Sequence, residues 1–229
     1  MGYVFAREAL PRTSLQPERK ARVFSCLADA PAFSGIERMP IQQRATVIVL
    51  AAGRGERFAQ SGGATHKLDA PLGGVPVLQR VLCTVALSGL PWHLVRPEEG
   101  AAAETAGMGD SIARGVRATA DAAGWLILPG DLPLLDVDSL LQVARELTTH
   151  AVVLPLYQQQ QGHPVGFGQE CFAALSTLCG DRGAAAVVRT HRQAGTARVL
   201  HLNDPGIVTD IDTLDDLARA ERLLATGNH

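Results

Sequence analysis

Lysine is nearly missing from this chain: two of its 21 basic residues are lysines, Lys20 and Lys67. Aromatic residues make up only 4%, which excludes an aromatic-rich core and leaves an aliphatic, alanine-rich one. No stretch approaches the ~18–20 consecutive apolar residues of a membrane span. The net charge of −2 excludes a global electrostatic pull toward nucleic acid. The four cysteines (Cys26, Cys83, Cys171 and Cys179) have no CxxC spacing and no neighbouring His cluster. That pattern excludes a zinc site and a disulfide framework, and it reads as reduced cysteines in a cytoplasmic protein. With 46% hydrophobic and 19% charged residues, wholesale disorder is excluded as well.

The charge is unevenly spread. Residues 1–45 hold seven basic and four acidic side chains; the remainder hold fourteen and nineteen. After residue 45 a single lysine stands among thirteen arginines. Residues 1–45 contain Pro11, Pro17, Pro31 and Pro40 and no sustained apolar period. They read as an irregular extension with one short helix near 18–28. No apolar h-region marks them as a secretory signal, and the acidic residues at 8, 18, 29 and 37 argue against another targeting peptide. A start at Met39 leads more directly into the first strand.

Residues 46–52 form a continuous β-branched run ending at glycine, the pattern of a strand buried on both faces. A Gly-rich stretch, 53–66, follows. Helical spacing appears at 75–88, with Pro76 tolerated early, and again at 111–123, 137–147, 183–190 and 214–224. Strands are predicted at 93–96, 125–128, 151–156, 165–167 and 198–202. Thr213 with Asp216 predicts a capping-box start for the last helix. Strands alternating with helices predict an α/β fold with a mainly parallel sheet. No repeat or internal boundary divides 46–229, so one domain is expected there.

Ligands of α/β sheets sit at the carboxyl ends of strands, and three such ends here are chemically loaded. The first is Leu50-Ala-Ala-Gly-Arg-Gly-Glu-Arg-Phe58, followed by Lys67. Glycines after a buried strand present N–H groups to an anion, and Arg54, Arg57 and Lys67 add positive charge. A phosphate chain fits this loop; the alternative is a surface turn with solvated arginines. No Walker A lysine follows, and Phe58 occupies the third glycine position of a dinucleotide fingerprint. The second is Gly130-Asp131-Leu-Pro133, where the carboxylate suits Mg²⁺ or merely initiates a turn. The third is Asp210-Ile-Asp212. Alternating carboxylates on an extended segment reach one ion, although Asp212 alone would also serve as a helix cap.

Taken together, the segments over 46–225 resemble the MobA-like nucleotidyltransferases, and among them the molybdenum-cofactor cytidylyltransferase branch. The matching segments, in family order, are the loop 50–58, Lys67, Gly107-Met-Gly-Asp-Ser-Ile112, Gly130-Asp-Leu-Pro133, Gly162-His-Pro164, Gly180-Asp-Arg-Gly-Ala184 and Asp210-Ile-Asp-Thr213. The resemblance implies a three-layer α/β/α, Rossmann-like sheet of the nucleotide-diphospho-sugar transferase type. It implies an NTP, with CTP favoured by Ala51-Ala52-Gly53, and a phosphorylated acceptor such as molybdopterin. It also implies Mg²⁺ and a possible molybdoenzyme partner. Arg57, Lys67 and Asp131 would be catalytic. Leu50, Ala51, Ala52, Gly53, Arg54, Gly55, Gly107, Met108, Gly109 and Ser111 would hold the nucleotide. Asp131, Asp210 and Asp212 would ligate the metal, and His163 and Asp181 would flank the acceptor.

Other readings remain open at single residues. His163 also fits a structural His-Pro turn, after the unusual run Gln158 to Gln161. Asp181 also fits a helix cap, and Met108 a core position. Trp125 is read as core. The sequence departs from the family at Ala59, where a glycine is usual, and in the extra residues 60–66, which predict a longer loop path. It also departs in the short interval from Trp92 to Met108, and at Ala185, where an arginine is usual. A sugar or polyol phosphate acceptor, and a non-catalytic accessory protein for molybdoenzyme maturation, are the alternative functions. An NAD(P) reductase is disfavoured by Phe58 and the three acidic residues.

Overall fold

A computed structural model describes residues 44–97 and 107–226. The N-terminal extension and its expected helix thus lie outside the described residues, apart from Arg44 and Ala45.

The strands are β1 (Thr46–Leu50), β2 (Pro71–Leu72), β3 (Val75–Pro76), β4 (Trp92–Val95), β5 (Gly124–Pro129), β6 (Val152–Tyr157), β7 (Gln160–Gln161), β8 (Val165–Gly168) and β9 (Ala197–His201). The α-helices are α1 (Glu56–Gln60), α2 (Val77–Leu87), α3 (Met108–Ala118), α4 (Val137–Glu146), α5 (Phe172–Ser176), α6 (Ala185–Gln193) and α7 (Leu214–Thr226). Seven strands form the main sheet in the order β4-β1-β5-β8-β6, with β7 and β9 both paired to β6. β1 runs parallel to β4 and β5, and β9 parallel to β6. β8 is antiparallel to both of its neighbours.

Side-chain alternation along the strands divides the core into two layers. Val47 and Val49 of β1, Leu126 and Leu128 of β5 and Val153 of β6 face one layer, with α2, α4 and α7. Ile48, Trp125, Ile127, Val152 and Leu154 face the other, with α3, α5 and α6. The fold is therefore the expected three-layer arrangement around a mainly parallel sheet. Trp125 is fully buried, stacks near Phe172 at 5.8 Å and donates from Nε1 to Thr119 Oγ1 at 3.0 Å. Truncating such a residue costs about 3–5 kcal/mol.

Several boundaries shift for local reasons. The helix expected from 75 begins at Val77, because Pro76 is extended (φ −54, ψ 140) and pairs with Pro71. The helix expected from Ser111 begins at Met108 and stops at Ala118, and the one expected at 183–190 runs from Ala185 to Gln193. Helix α7 begins as expected: Asp216 accepts from the Thr213 backbone at 2.9 Å, and Thr213 Oγ1 accepts from the Asp216 backbone at 3.2 Å. Cys171 and Cys179 carry free thiols.

Candidate active site

The carboxyl ends of β1 and β5 lie side by side and are tied there, since the Gly130 N–H donates to the Leu50 carbonyl at 2.8 Å. The chain leaves β1 into a glycine loop that turns at Gly55, whose left-handed backbone (φ +67) starts α1. A side chain at that φ is strained, and a Cβ there would also press on the His66 ring at 3.2 Å. Phe58 is buried in the core and anchors the loop from below, so its place in the sequence is structural.

Residues 60–66, expected to lengthen the loop path, instead fold back under it. Gly63 N–H donates to the Phe58 carbonyl at 3.0 Å. His66 then braces the loop. Its Nε2 is 3.0 Å from the Gly53 carbonyl, and its Nδ1 accepts from the Leu68 N–H at 3.3 Å. A carbonyl needs a donor and an N–H needs an acceptor, so the pattern assigns the Nε2–H tautomer.

Lys67, the next residue, is 9% exposed. Its Nζ donates to Asp131 Oδ2 and to Asp212 Oδ1, each at 2.7 Å, and Arg57 Nη1 meets Asp212 Oδ2 at 2.6 Å. Burial alone would lower the lysine pKa. Asp131 first, then Asp212, overcome that and hold it above its ordinary value. Lys67, expected to hold phosphate, thus pairs with two of the expected metal ligands. Asp210 stands nearby. Burial, with the negative charges of Asp131, Asp212 and Asp216, raises its carboxyl pKa. Asp212 does not cap α7 with its side chain, because both of its oxygens are taken by Lys67 and Arg57.

These groups open on a cleft of about 1170 Å³. Leu50, Ala52, Gly53, Arg54, Gly55, Arg57, Lys67, Gly107, Met108, Ser111, Asp131, His163, Asp181, Asp210 and Asp212 all line it. Two expected nucleotide-binding residues do not. Ala51 is buried in the core layer beside α2, and Gly109 packs against the backbone of Cys179 and Gly180. Met108 is 54% exposed rather than core. Ser111 is the fourth residue of α3 and is buried on its cleft side.

Farther along the chain, His163 follows β7, and its backbone N–H donates to the Ile207 carbonyl at 2.9 Å. Its Nδ1 is buried without a hydrogen-bond partner. Burial lowers its pKa; a bond to the Ile127 backbone and the charges of Asp131 and Asp210 only partly offset this. Asp181 is no helix cap, since the residue before α6 is Ala184, with no side-chain cap bond. Its carboxylate faces Gly107. Gln160 and Gln161 line the cleft as well.

Asp131 and Asp212 offer the oxygen donors that a hard divalent cation takes, and they already share one cation, the Lys67 ammonium. Among the described residues, no group of three or more His, Cys, Asp or Glu side chains is gathered tightly enough to be a ready-made metal site. As they stand, these carboxylates are paired with the protein's own cations, Lys67 and Arg57. Nothing in the sequence motifs singles out His66 or Asp110 for this cleft. Asp110 had one signal, an acidic residue three positions after the start of a helix motif.

No described helix is long and apolar enough to cross a membrane. Comparison with known proteins gives a consistent picture. Bifunctional protein GlmU of Xanthomonas euvesicatoria is 30% identical over 140 residues, covering 54% of this chain and 29% of that protein. The chain therefore spans less than a third of the length of that curated relative. The crystal structure of Rv0371c from Mycobacterium tuberculosis superposes with a TM-score of 0.63 at 23% identity, covering 79% of this chain and 98% of that one. The same protein in complex with manganese superposes at 0.61 and 22%. Molybdopterin-guanine dinucleotide biosynthesis protein A from Archaeoglobus fulgidus superposes at 0.55 and 16%, covering 79% and 99%. The model for the MobA-like NTP transferase domain matches residues 47–195, the stretch that carries the glycine loop, Lys67, Asp131 and His163, and the chain belongs to that nucleotidyltransferase family.

Proposed function

We propose that this nucleotidyltransferase moves CMP from CTP onto the phosphate of molybdopterin, with Mg²⁺ as its metal. The observation that carries the reading is the meeting of Lys67, Asp131 and Asp212 beneath the glycine loop, where two cations and two carboxylates face one cleft. An oxygen of the acceptor phosphate attacks the α-phosphorus. The bond from that phosphorus to the bridging oxygen breaks, and pyrophosphate leaves. Such chemistry runs on positioning and charge neutralisation.

Each residue contributes a separate part. The N–H groups of 52–55 receive phosphate oxygens, and Arg57 and Lys67 turn from Asp212 and Asp131 toward the leaving phosphates. Ser111, Gly107 and Met108 flank the base. Asp131, Asp212 and Asp210 would hold the metal, which would supply charge neutralisation when bound. The manganese complex of the Mycobacterium protein supports a divalent cation in this fold. His163 and Asp181 line the part of the cleft left for the acceptor. The preference for CTP rests on the resemblance of Ala51-Ala52-Gly53 to the cytidylyl branch. A molybdoenzyme is the downstream partner this product would serve.

A second reading has its own support. α6 opens at Ala185, where the family has arginine, and its first turn carries no basic side chain. That favours a smaller phosphorylated acceptor, a sugar or polyol phosphate.

The test incubates the protein with each α-labelled NTP, Mg²⁺ and molybdopterin and follows pyrophosphate. Release with CTP alone among the nucleotides supports the first reading. Release that requires a sugar or polyol phosphate supports the second. No release, together with no binding of Mg·NTP, refutes both and leaves an accessory role.

A further inference from the structure

Asp110 stands in the first turn of α3, yet half of its hydrogen bonding is spent elsewhere. One oxygen, Oδ2, accepts from the Gly107 N–H at 2.9 Å and from the Gly180 N–H at 2.9 Å. The first bond is an ordinary helix-start contact. The second reaches 70 residues along the chain and does nothing for the helix. A third bond runs beside them, from the Gly109 N–H to the Gly180 carbonyl at 2.7 Å.

The two backbones touch. A Cβ on Gly107 would lie 2.3 Å from the Gly180 carbonyl carbon and 2.5 Å from Asp181 Oδ1. Met108 leans on the same loop, with its sulfur 3.2 Å from where a Gly183 Cβ would be. So the loop 179–183 that carries Asp181 has no independent seat.

We propose that Asp110 is a positioning residue: its carboxylate seats the loop 179–183 on the start of α3, so that the nucleotide wall and the Asp181 rim move as one unit. A carboxylate suits this role because one oxygen accepts two N–H groups at once, and charge-assisted bonds are roughly twice as strong as neutral ones. The two bonds hold the Asp110 carboxyl below its ordinary pKa, so the clasp stays charged at neutral pH. The proposal rests on the nucleotidyl-transfer reading only for the ligand that fills the nucleotide wall; the clasp itself does not depend on it.

The test is amide hydrogen exchange on the full chain, for wild type, Asp110→Asn and Asp110→Ala, with and without Mg·CTP. It is paired with calorimetric titration of Mg·CTP. In wild type, peptides over 178–184 exchange slowly and become slower still with CTP. In Asp110→Ala they exchange about tenfold faster, β1 and β5 are unchanged, CTP no longer slows 178–184, and the nucleotide Kd rises about tenfold. Asp110→Asn, which keeps an acceptor oxygen without the charge, recovers part of each effect; it also serves if the alanine variant does not fold. Unchanged protection of 178–184 in the folded variants overturns the proposal. If wild type binds no nucleotide, the functional reading fails, and the unliganded exchange difference still decides the clasp.

Discussion

The two walls of the cleft settle their polar groups in opposite ways. On the wall of residues 50–67, the key groups are matched: His66 uses both ring nitrogens, and Lys67 and Arg57 are paired with carboxylates. On the wall of residues 158–163, the demand is open. His163 has a buried nitrogen without a partner. Gln158 and Gln159 take left-handed backbone angles, φ 45 and φ 72, which non-glycine residues adopt at a cost of order 1–3 kcal/mol each. The first wall rests in a closed electrostatic state that a ligand must exchange into. The second holds a buried nitrogen without a partner and a turn of unfavourable backbone angles.

The sharpest way to break the contrast is Asp131→Asn. It removes an anion from the paired wall and preserves shape. Turnover is expected to fall by at least about a thousandfold, with an unchanged circular dichroism spectrum. Near-normal pyrophosphate release in that variant refutes the metal assignment.

Next in size is Lys67→Met, which leaves Asp131 and Asp212 facing each other without their shared cation. Stability is expected to fall by about 2–3 kcal/mol, read by urea unfolding at pH 7. The sign in pH follows from a raised lysine pKa. The pairing is fully present below the ordinary 10.5 and is lost only as pH rises above that value. On the alkaline side wild type therefore loses this contribution as Lys67 deprotonates, and the methionine variant has no such loss. A variant that melts with wild type at pH 7 shows the pairing to be worth nothing.

The walls are separated by a pair of alanine variants. His66→Ala frees the Gly53 carbonyl, so the KM for nucleotide rises about tenfold and the KM for acceptor holds. His163→Ala does the reverse. Equal changes in both constants for either variant would mean that the walls do not act separately.

The smallest effect is expected at Asp210. Burial and its acidic neighbours raise its carboxyl pKa above 3.8, so ionising it costs the folded state more than the unfolded one. The folded protein gains stability as pH falls through the raised value toward 3.8. Asp210→Asn removes that cost and raises the Tm of the metal-free protein slightly at pH 7, with no gain below 3.8. Calorimetry that finds a lower Tm at pH 7 contradicts this.

What was legible in the sequence was contiguous. β1, β5 and β6 could be read because Val, Ile and Leu run without interruption, and the glycine loop because its residues are adjacent. β8 could be located but not oriented, since Val-Gly-Phe-Gly carries no mark of direction. The start of α3 was displaced because Gly107 has no side chain to announce a cap; its partner Asp110 was the clue. The pairing of Lys67 was hidden, because Asp131 lies 64 residues away and Asp212 145. Glycine-loop bracing by His66 was hidden too, since nothing in the extra residues 60–66 shows that they fold back.

The fully buried Trp125 has a practical consequence. The chain has two tryptophans and two tyrosines, so its ultraviolet emission has few sources. Trp125 Nε1 is bonded to Thr119, the residue that ends α3, while the first turn of that helix carries Met108 and Ser111 into the cleft. The helix thus links the nucleotide wall to an indole at its far end. In a Trp92→Phe variant, which leaves Trp125 as the single indole, ligand binding at the cleft is expected to shift the emission of a native fluorophore, without attaching a label.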